Sequence, residues 1–401
     1  MGQVSRSRIL LCGGFRLPDG SASAQRAIPN VRILQSLGYE VHLVGKAHLP
    51  SLGLEKAPHR FEVEGIPCWN IQSPIEGAKL GRYEQSSDVI EAIAKELGID
   101  TLHSVITYNY PMGGVATMNR FCRRHGIIPI VDTTEWYGLN GWRPLEILRF
   151  LNHERRMRIT QKQVGSMICG SSYLARYYEK FNTVIVPNCV DMDAPKWQTP
   201  PAARPQSGRR FIFVGSAGAR MKKDNVAALV EAFAKLPSDA PEHVFHVLGI
   251  TADQMVQVEP ELSTAIQKMG SRLVCHGRVP HIQALAEIKA SDFFVFFRPR
   301  TRANEAGCPT KLAEAFSCGI PTITNDSGDV SRYITSPLHG MVVPKPDVDD
   351  MADALMKALA IPDGQLNKMK EACFKDNPFR YQIYASQVGD FLAKAEKGIR
   401  P

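Results

Sequence analysis

Apolar residues recur in two ways along this 401-residue chain. Short unbroken apolar runs predict buried strands, and runs with apolar residues spaced by three and four predict helices. Arg8–Cys12 is of the first kind. Ala24, Ala27, Ile28, Val31, Leu34 and Leu37 are of the second and predict a helix over Ala22–Leu37, closed by Gly38. Tyr39–Val44 predicts the next strand, with Gly13-Gly14 and Asp19-Gly20-Ser21 as a loop after the first. A strand, loop, helix and strand in this order open a doubly wound parallel sheet. Further strands are expected at Ser104–Thr107, Ile127–Val131, Ser166–Cys169 and Val184–Pro187, and helices at Ser87–Leu97 and Gly113–His125.

The pattern pauses at Pro195–Ser207, which is Pro-rich and lacks apolar periodicity, and then restarts. Arg210–Val214 predicts a strand, Gly215–Ala219 a Gly/Ala loop, and Asn225–Leu236 a helix with Val226, Leu229, Val230 and Phe233 on one side. Strands follow at His243–Leu248, Leu273–His276, Phe293–Phe297 and Thr322–Asn325. The expected organisation is a first α/β domain of residues 1–195, a linker of 196–208 and a second α/β domain of 209–379. The helical segment 380–401 packs back on the first domain. Two open α/β domains joined in this way bind ligand in the cleft between them.

Composition narrows the partners. Hydrophobic content of 44% and charged content of 22% are those of a globular protein, and the net charge of +8 favours anionic partners. Nine dispersed cysteines without a C-x-x-C pair read as reduced thiols of a cytoplasmic protein. Ile9–Cys12 is too short for a signal peptide, and no run approaches the roughly 18 apolar residues of a membrane span. Trp142–Lys162 carries six Lys/Arg and two Glu among Leu145, Leu148, Phe150 and Leu151. Two readings stay open: a basic helix lying on the inner face of a membrane, or a solvated helix packed on the first domain. No aromatic-basic interleaving supports nucleic acid as a partner.

The stretch Ala306–Pro321 carries the most chemistry. Lys311 and Glu314 stand three apart at the start of an expected helix, on one face, behind a Gly-Cys-Pro turn that includes Pro309 and precedes Thr310. Amides and a lysine at a helix start suit a phosphate, and a carboxylate there suits ribose hydroxyls. Gly215-Ser216-Ala217-Gly218 fails the dinucleotide fingerprint, but Lys222-Lys223 follow it and make a phosphate contact the favoured reading. Arg298, Arg300 and Arg302 come straight after a strand, where open α/β sheets meet ligand. Asp132, Glu135 and Trp136 at another strand end are candidates for an acceptor sugar. Asp191-Met192-Asp193 reads as a surface turn, no cluster suggests a metal, and no cofactor is expected.

Taken together, these segments resemble the GT-B glycosyltransferases, in particular retaining family 4. The marks are FVGSAGARMKKD at Phe211–Asp224, HGRVP at His276–Pro280, SDFFVFFRP at Ser291–Pro299, and AGCPTKLAEAFSCGIPTITN at Ala306–Asn325. The resemblance implies two Rossmann-like doubly wound domains facing a cleft. It also implies transfer of a sugar, with retention, from a UDP- or GDP-linked donor to a glycan or lipid-linked acceptor in surface polysaccharide or lipopolysaccharide synthesis. By matching position, Glu314 would hold the ribose, and Lys223 or Lys222 the diphosphate. Lys311 would approach the phosphate or sugar, and Gly277-Arg278-Val279 would frame the base. Gly13-Gly14 or Gly20-Ser21 would bring amides from the first domain. Glu305 would partner the donor sugar, although one residue more separates it from Glu314 than is usual in the family. Gly215-Ser216 replaces the family's Gly-Arg, a charge that Arg220, Arg298 or Arg302 would supply. The acceptor side would draw on Ile106–Pro111, with Tyr108, and on Val131–Tyr137. A nucleotide-sugar epimerase or hydrolase of the same plan, or a non-catalytic binding protein, are the rivals.

Overall fold

In the computed structural model, residues 6–56, 58–71, 88–139, 141–203, 207–215, 223–345 and 347–398 are described. They divide into two compact units. The first runs to Asp191 and takes in Ala306–Cys308 and the residues from Arg380; the second comprises Met192–Glu305 and Pro309–Phe379.

The first unit is built on an eight-stranded sheet. Its strands are β1 (Arg8–Leu17), β2 (Glu40–Ala47), β3 (Arg60–Val63), β4 (Ile66–Asn70), β5 (Leu102–Tyr108), β6 (Ile128–Thr133), β7 (Ser166–Cys169) and β8 (Asn182–Ile185), in the order β3-β4-β2-β1-β5-β6-β7-β8. All neighbours are parallel except β3 and β4. The winding direction reverses between β1 and β5. Parallel strands covered on both faces read as continuous apolar runs. Accordingly Leu10, Val105, Val131 and Met167 enter one core, and Ile9, Leu11, Ile106, Ile130 and Ile168 the other. The helix Ala385–Lys397 adds Val388, Phe391 and Leu392 to the second of these cores.

Three features depart from expectation. Gly13-Gly14 lies inside β1, because Phe15 and Leu17 are fully buried and carry the strand on past the glycines. The hairpin β3–β4 turns on Glu64-Gly65, both at positive φ (51° and 77°), a two-residue turn without the Asn-Gly or Asp-Gly signal. The basic segment is interrupted: a helix Pro144–Arg155 with no buried residue runs into a π-helical turn, Arg156–Thr160, whose Arg156 and Met157 are buried. Trp142, Leu145, Leu148 and Leu151 are exposed. Among the described residues, no helix is long and apolar enough to cross a membrane.

The second unit holds a six-stranded parallel sheet. It consists of β9 (Arg209–Val214), β10 (His243–Leu248), β11 (Leu273–Gly277), β12 (Phe293–Val295), β13 (Thr322–Asn325) and β14 (Gly340–Val343), in the order β11-β10-β9-β12-β13-β14. Here the winding reverses between β9 and β12. Phe233 stacks on Phe245 at 4.3 Å, and Phe211 on Phe293 at 5.5 Å. The segment read as a linker begins packed: Trp197 is buried, and the Lys289 ammonium bonds the carbonyls of Trp197 and Thr199.

A buried ion pair lies deep in the first unit. Asp132, at the end of β6, takes two bonds from Arg26, at 2.8 and 3.1 Å, and one from Asn30 at 3.0 Å. Arg26 also donates to the carbonyls of Val186 and Pro187. Breaking a buried pair from one side strands the other charge and costs about 3–5 kcal/mol, whereas replacing both sides costs far less. Asp132→Ala is therefore expected to lower stability by about that amount, and Arg26→Met/Asp132→Leu to recover part of it. Urea unfolding measures both; a single variant as stable as the parent would contradict the assignment.

Candidate functional site

Ligands of open α/β sheets gather at strand C-termini where the winding reverses. In the second unit, β9 and β12 end at that point. Gly215 follows β9. A Cβ there would lie 2.4 Å from the Phe213 ring and 3.6 Å from the Lys311 Nζ. The absent side chain thus lets the ring fold back beneath the lysine, whose Nζ stands 4.6 Å from the ring centroid.

Lys311 is the second residue of the helix Thr310–Ser317. That helix starts at Pro309 without a side-chain cap, so its first amides receive no capping oxygen. The Lys311 ammonium is buried and pairs with Asp224. Asp224, itself buried, accepts from Arg298 Nε at 2.9 Å through its other oxygen. Arg298 is fixed through its backbone: its N–H donates to Asn325 Oδ1 at 2.7 Å, and Asn325 Nδ2 donates back to its carbonyl at 2.8 Å. One carboxylate thus faces two cations. Burial raises the Asp224 carboxyl, but Lys311 and Arg298 outweigh burial and hold it below its ordinary value. Burial pushes the Lys311 ammonium down, Asp224 draws it back up, and Arg298 and Lys223 repel it; the balance stands at about 8. The cluster carries a surplus positive charge in a sparsely hydrated place, which suits an incoming anion.

Glu314 stands three residues on along the same helix. Its Oε1 lies 3.1 Å from His281 Nε2, with both side chains half-buried. His281 opens the helix His281–Lys289 directly after Gly277-Arg278-Val279-Pro280. Gly277 ends β11 at φ 63°, where only a glycine is at ease, and its carbonyl accepts from Gly249 N at 2.6 Å. Arg278 is exposed and Val279 half-buried. Lys223 accepts at its carbonyl from Asn304 at 3.4 Å. Arg302 and Glu305 bound a short helix, in which Glu305 Oε1 lies 3.4 Å from Arg300. Lys311, Arg298, Gly215 and Lys223 are therefore gathered around Asp224, and Glu314 is tied to the segment after β11. Ser216, Arg220 and Lys222 lie outside the described residues.

The other candidates belong to the first unit. Gly13 and Gly14 are strand residues, and a Cβ on Gly13 would strike the Phe15 ring at 2.6 Å. Gly20 packs as closely on His48, and Ser21 caps the helix Ala22–Ser36 by accepting from Ala24 N. Asp132 is consumed by Arg26 and Asn30 and offers an acceptor no exposed oxygen. Trp136 is buried, its Nε1 donating to Glu154 at 2.7 Å. Tyr108 and Glu135 are half-buried at strand ends; the Tyr108 hydroxyl lies 3.2 Å from Thr134 Oγ1 and is pushed up to about 12 by burial and then by Glu135. Asp191 is buried and pairs with Arg32 at 3.3 Å, whereas Met192 and Asp193 form the expected turn, with Asp193 exposed.

Among the described residues, one group gathers metal-ligand atoms, those of His246, His276 and Glu287 lying within 4.8 Å of one another. Arg210 already supplies a cation there: it contacts His246 Nδ1 at 3.2 Å and pairs with Glu287. Burial, with Arg210 and His276, pushes His246 down to about 3. Sequence reasoning missed Asp224, Asn325 and His281 as site residues. Asp224 follows the two lysines directly, and Asn325 ends a strand; both are positions that could have been weighed.

Residues 208–360 match the family model of the glycosyl transferases group 1. No curated protein sequence matches the chain. In three dimensions it is similar to a sucrose-phosphate synthase from Thermosynechococcus elongatus, with 16% identity and a TM-score of 0.69 over 98% of this chain and 100% of that one. It is similar to a glycosyltransferase from Rickettsia africae, with 13% identity and a TM-score of 0.68 over 98% and 99%. It also resembles Anabaena HepE, solved with UDP and glucose, with 12% identity and a TM-score of 0.63 over 97% and 100%. The fold is that of the GT-B glycosyltransferases, with two Rossmann-like domains.

Gly215→Ala is expected to destabilise the protein by about 1–3 kcal/mol, because the new methyl group displaces the Phe213 ring from beneath Lys311. Chemical denaturation reads this directly, and a neutral substitution would show that the close approach is not required.

Proposed function

We propose that this chain is a glycosyltransferase that moves a sugar from a UDP- or GDP-linked donor to a glycan or lipid-linked acceptor with retention at the anomeric carbon. The observation that carries the reading is the pairing of Lys311 and Arg298 through one carboxylate, Asp224, at the sheet's switch point. The match of residues 208–360 to glycosyl transferases group 1 supports it, and so does the likeness to HepE, whose structure holds UDP and glucose. Surface polysaccharide or lipopolysaccharide synthesis at the cytoplasmic side of a membrane is the setting we propose. The exposed leucines beside Arg143 and Arg149 would meet the lipid there.

The difficult step is parting an oxocarbenium-like sugar from the nucleoside diphosphate. Negative charge grows on the leaving oxygens as the bond breaks. Lys311, the uncapped backbone N–H groups of Thr310 and Lys311, and Lys223 would answer that charge, and would do so more strongly in the transition state than in the bound donor. Asp224 holds Lys311 and Arg298 in place beforehand, so little reorganisation remains. Glu314, oriented by His281, would take the ribose hydroxyls, and the loop at Gly277–Val279 would meet the base through its backbone.

Losing one such group typically costs on the order of 3 kcal/mol, a factor near 10². Lys223→Ala and Glu314→Ala are each expected to cut turnover at least about tenfold while leaving the unfolding transition in place. Near-parental rates in both variants would remove the proposed donor site. For the stereochemistry, proton NMR of the freshly formed product is expected to show the donor's anomeric configuration. An inverted product would refute retention while leaving sugar transfer intact.

A further inference from the structure

The first unit borrows three residues from far along the chain, Ala306–Cys308, and holds their backbone with its own side chains. Ala306 is fully buried and belongs to the core of Leu10, Val105, Val131 and Met167. Its carbonyl accepts from Ser171 Oγ at 2.7 Å, across 135 residues of sequence. The Cys308 carbonyl accepts from Asn188 Nδ2 at 2.7 Å, across 120 residues. Both donors are themselves fixed. Ser171 is fully buried and also caps the helix Ser172–Tyr177, accepting from Leu174 N at 3.4 Å. Asn188 follows two residues, Val186 and Pro187, whose carbonyls accept from Arg26. Ser171 stands just beyond β7 and Asn188 just beyond β8, its neighbour in the sheet. Strand ends of this kind commonly hold a ligand. These two hold a segment of their own chain.

The borrowed segment runs straight into the helix of Lys311. The Cys308 carbonyl belongs to the peptide that joins Pro309, and Pro309 opens the helix Thr310–Ser317. The proline ring locks φ, here at −66°. Only one soft dihedral, the Pro309 ψ of 117°, therefore separates the carbonyl held by Asn188 from the N–H of Thr310. The helix has no side-chain cap, so its free N–H groups inherit their direction from the backbone before them. Its far end is fastened separately, by Asn377 Nδ2 donating to Ser317 Oγ at 3.0 Å. The bonds from Ser171 and Asn188 thus set the near end.

We propose that Asn188 and Ser171 are positioning residues for the phosphate-binding helix start: by holding the carbonyls of Cys308 and Ala306, they aim the N–H groups of Thr310 and Lys311, and with them the Lys311 side chain, at the terminal phosphate of a nucleoside diphosphate. Neither residue touches the ligand. Their effect is on direction, and a donor group displaced by a fraction of an ångström loses much of its hold on a phosphate oxygen. This assignment rests on the transferase reading above, since it takes the diphosphate of that donor as the anion.

The test compares the whole parent protein with Asn188→Ala, with Asn188→Asp, which fills the same space but cannot donate, and with Ser171→Ala. Calorimetry measures the affinity of each for UDP, GDP, UMP and GMP, and the ratio of diphosphate to monophosphate affinity isolates the terminal phosphate. In all three variants that ratio is expected to fall several-fold, the usual effect of losing one hydrogen bond. Both Asn188 variants should keep the parent's monophosphate affinity and unfolding transition; Ser171→Ala also loses a helix cap, so the Asn188 pair decides. The proposal is overturned if the ratio in that pair equals the parent's, or if monophosphate and diphosphate weaken alike, as a merely structural role requires. Should no nucleotide bind the parent, the donor reading falls, and a nitrogen-15 titration of the Lys311 side chain decides the positioning. A midpoint in Asn188→Ala above the parent's value of about 8, as the ammonium gains water, supports it, and an unchanged midpoint overturns it.

Discussion

The chemistry of the second unit depends on a single carboxylate. Asp224 holds Lys311 with one oxygen and Arg298 with the other, so two cations that would repel each other are kept at the end of the same sheet. The arrangement is electrostatically incomplete. Two positive charges share one negative charge in a buried place, and the lysine bears the cost through its lowered proton affinity. Everything around the trio serves to keep it there. Asn325 clamps the backbone of Arg298 from the next strand, Gly215 clears the space beside Lys311, and the Phe213 ring forms a floor that ties up no hydrogen bond. A nucleoside diphosphate would complete the charge balance that the fold leaves open.

The two units resolve the same problem in opposite ways. In the first, Arg26 and Asp132 satisfy each other and are closed to solvent, so they hold the sheet and nothing more. In the second, Lys311 and Arg298 share the one carboxylate of Asp224 and keep a positive charge in excess. The difference between a closed ion pair and a cluster with surplus charge is what separates a structural element from a candidate site. Burial alone would have ranked them together.

Much of the architecture was legible in the sequence, because parallel strands covered on both faces leave unbroken apolar runs. Ser166–Cys169, His243–Leu248 and Thr322–Asn325 are strands with those same bounds. Where the structure surprised, the local signal pointed elsewhere. Gly13-Gly14 has the composition of a loop but is held in β1 by the buried Phe15 and Leu17 beyond it. The β3–β4 turn uses Glu-Gly, and the π turn hides inside a run of arginines that periodicity reads as one helix. Of the site, Lys311, Glu314 and Arg298 were visible from helix-start and strand-end chemistry. Asp224 was not, because its partners stand 74 and 87 residues away and nothing local tells an ion-paired aspartate from a solvated one. Asp132 erred in the other direction: an acid at a strand end looked available, and a distant arginine had already claimed it.

The central claim is that the Lys311 ammonium, tuned by Asp224 and Arg298, is the group that meets the donor's diphosphate. Its most direct test is an NMR titration of the Lys311 side chain, labelled with nitrogen-15, with and without UDP. The account predicts a midpoint near 8 in the free protein that moves upward when UDP is bound, because the diphosphate stabilises the charged form. By the same sign, UDP affinity falls as the pH rises through that midpoint. A midpoint that stays in place when UDP is bound would mean that the diphosphate lies elsewhere and would contradict the account.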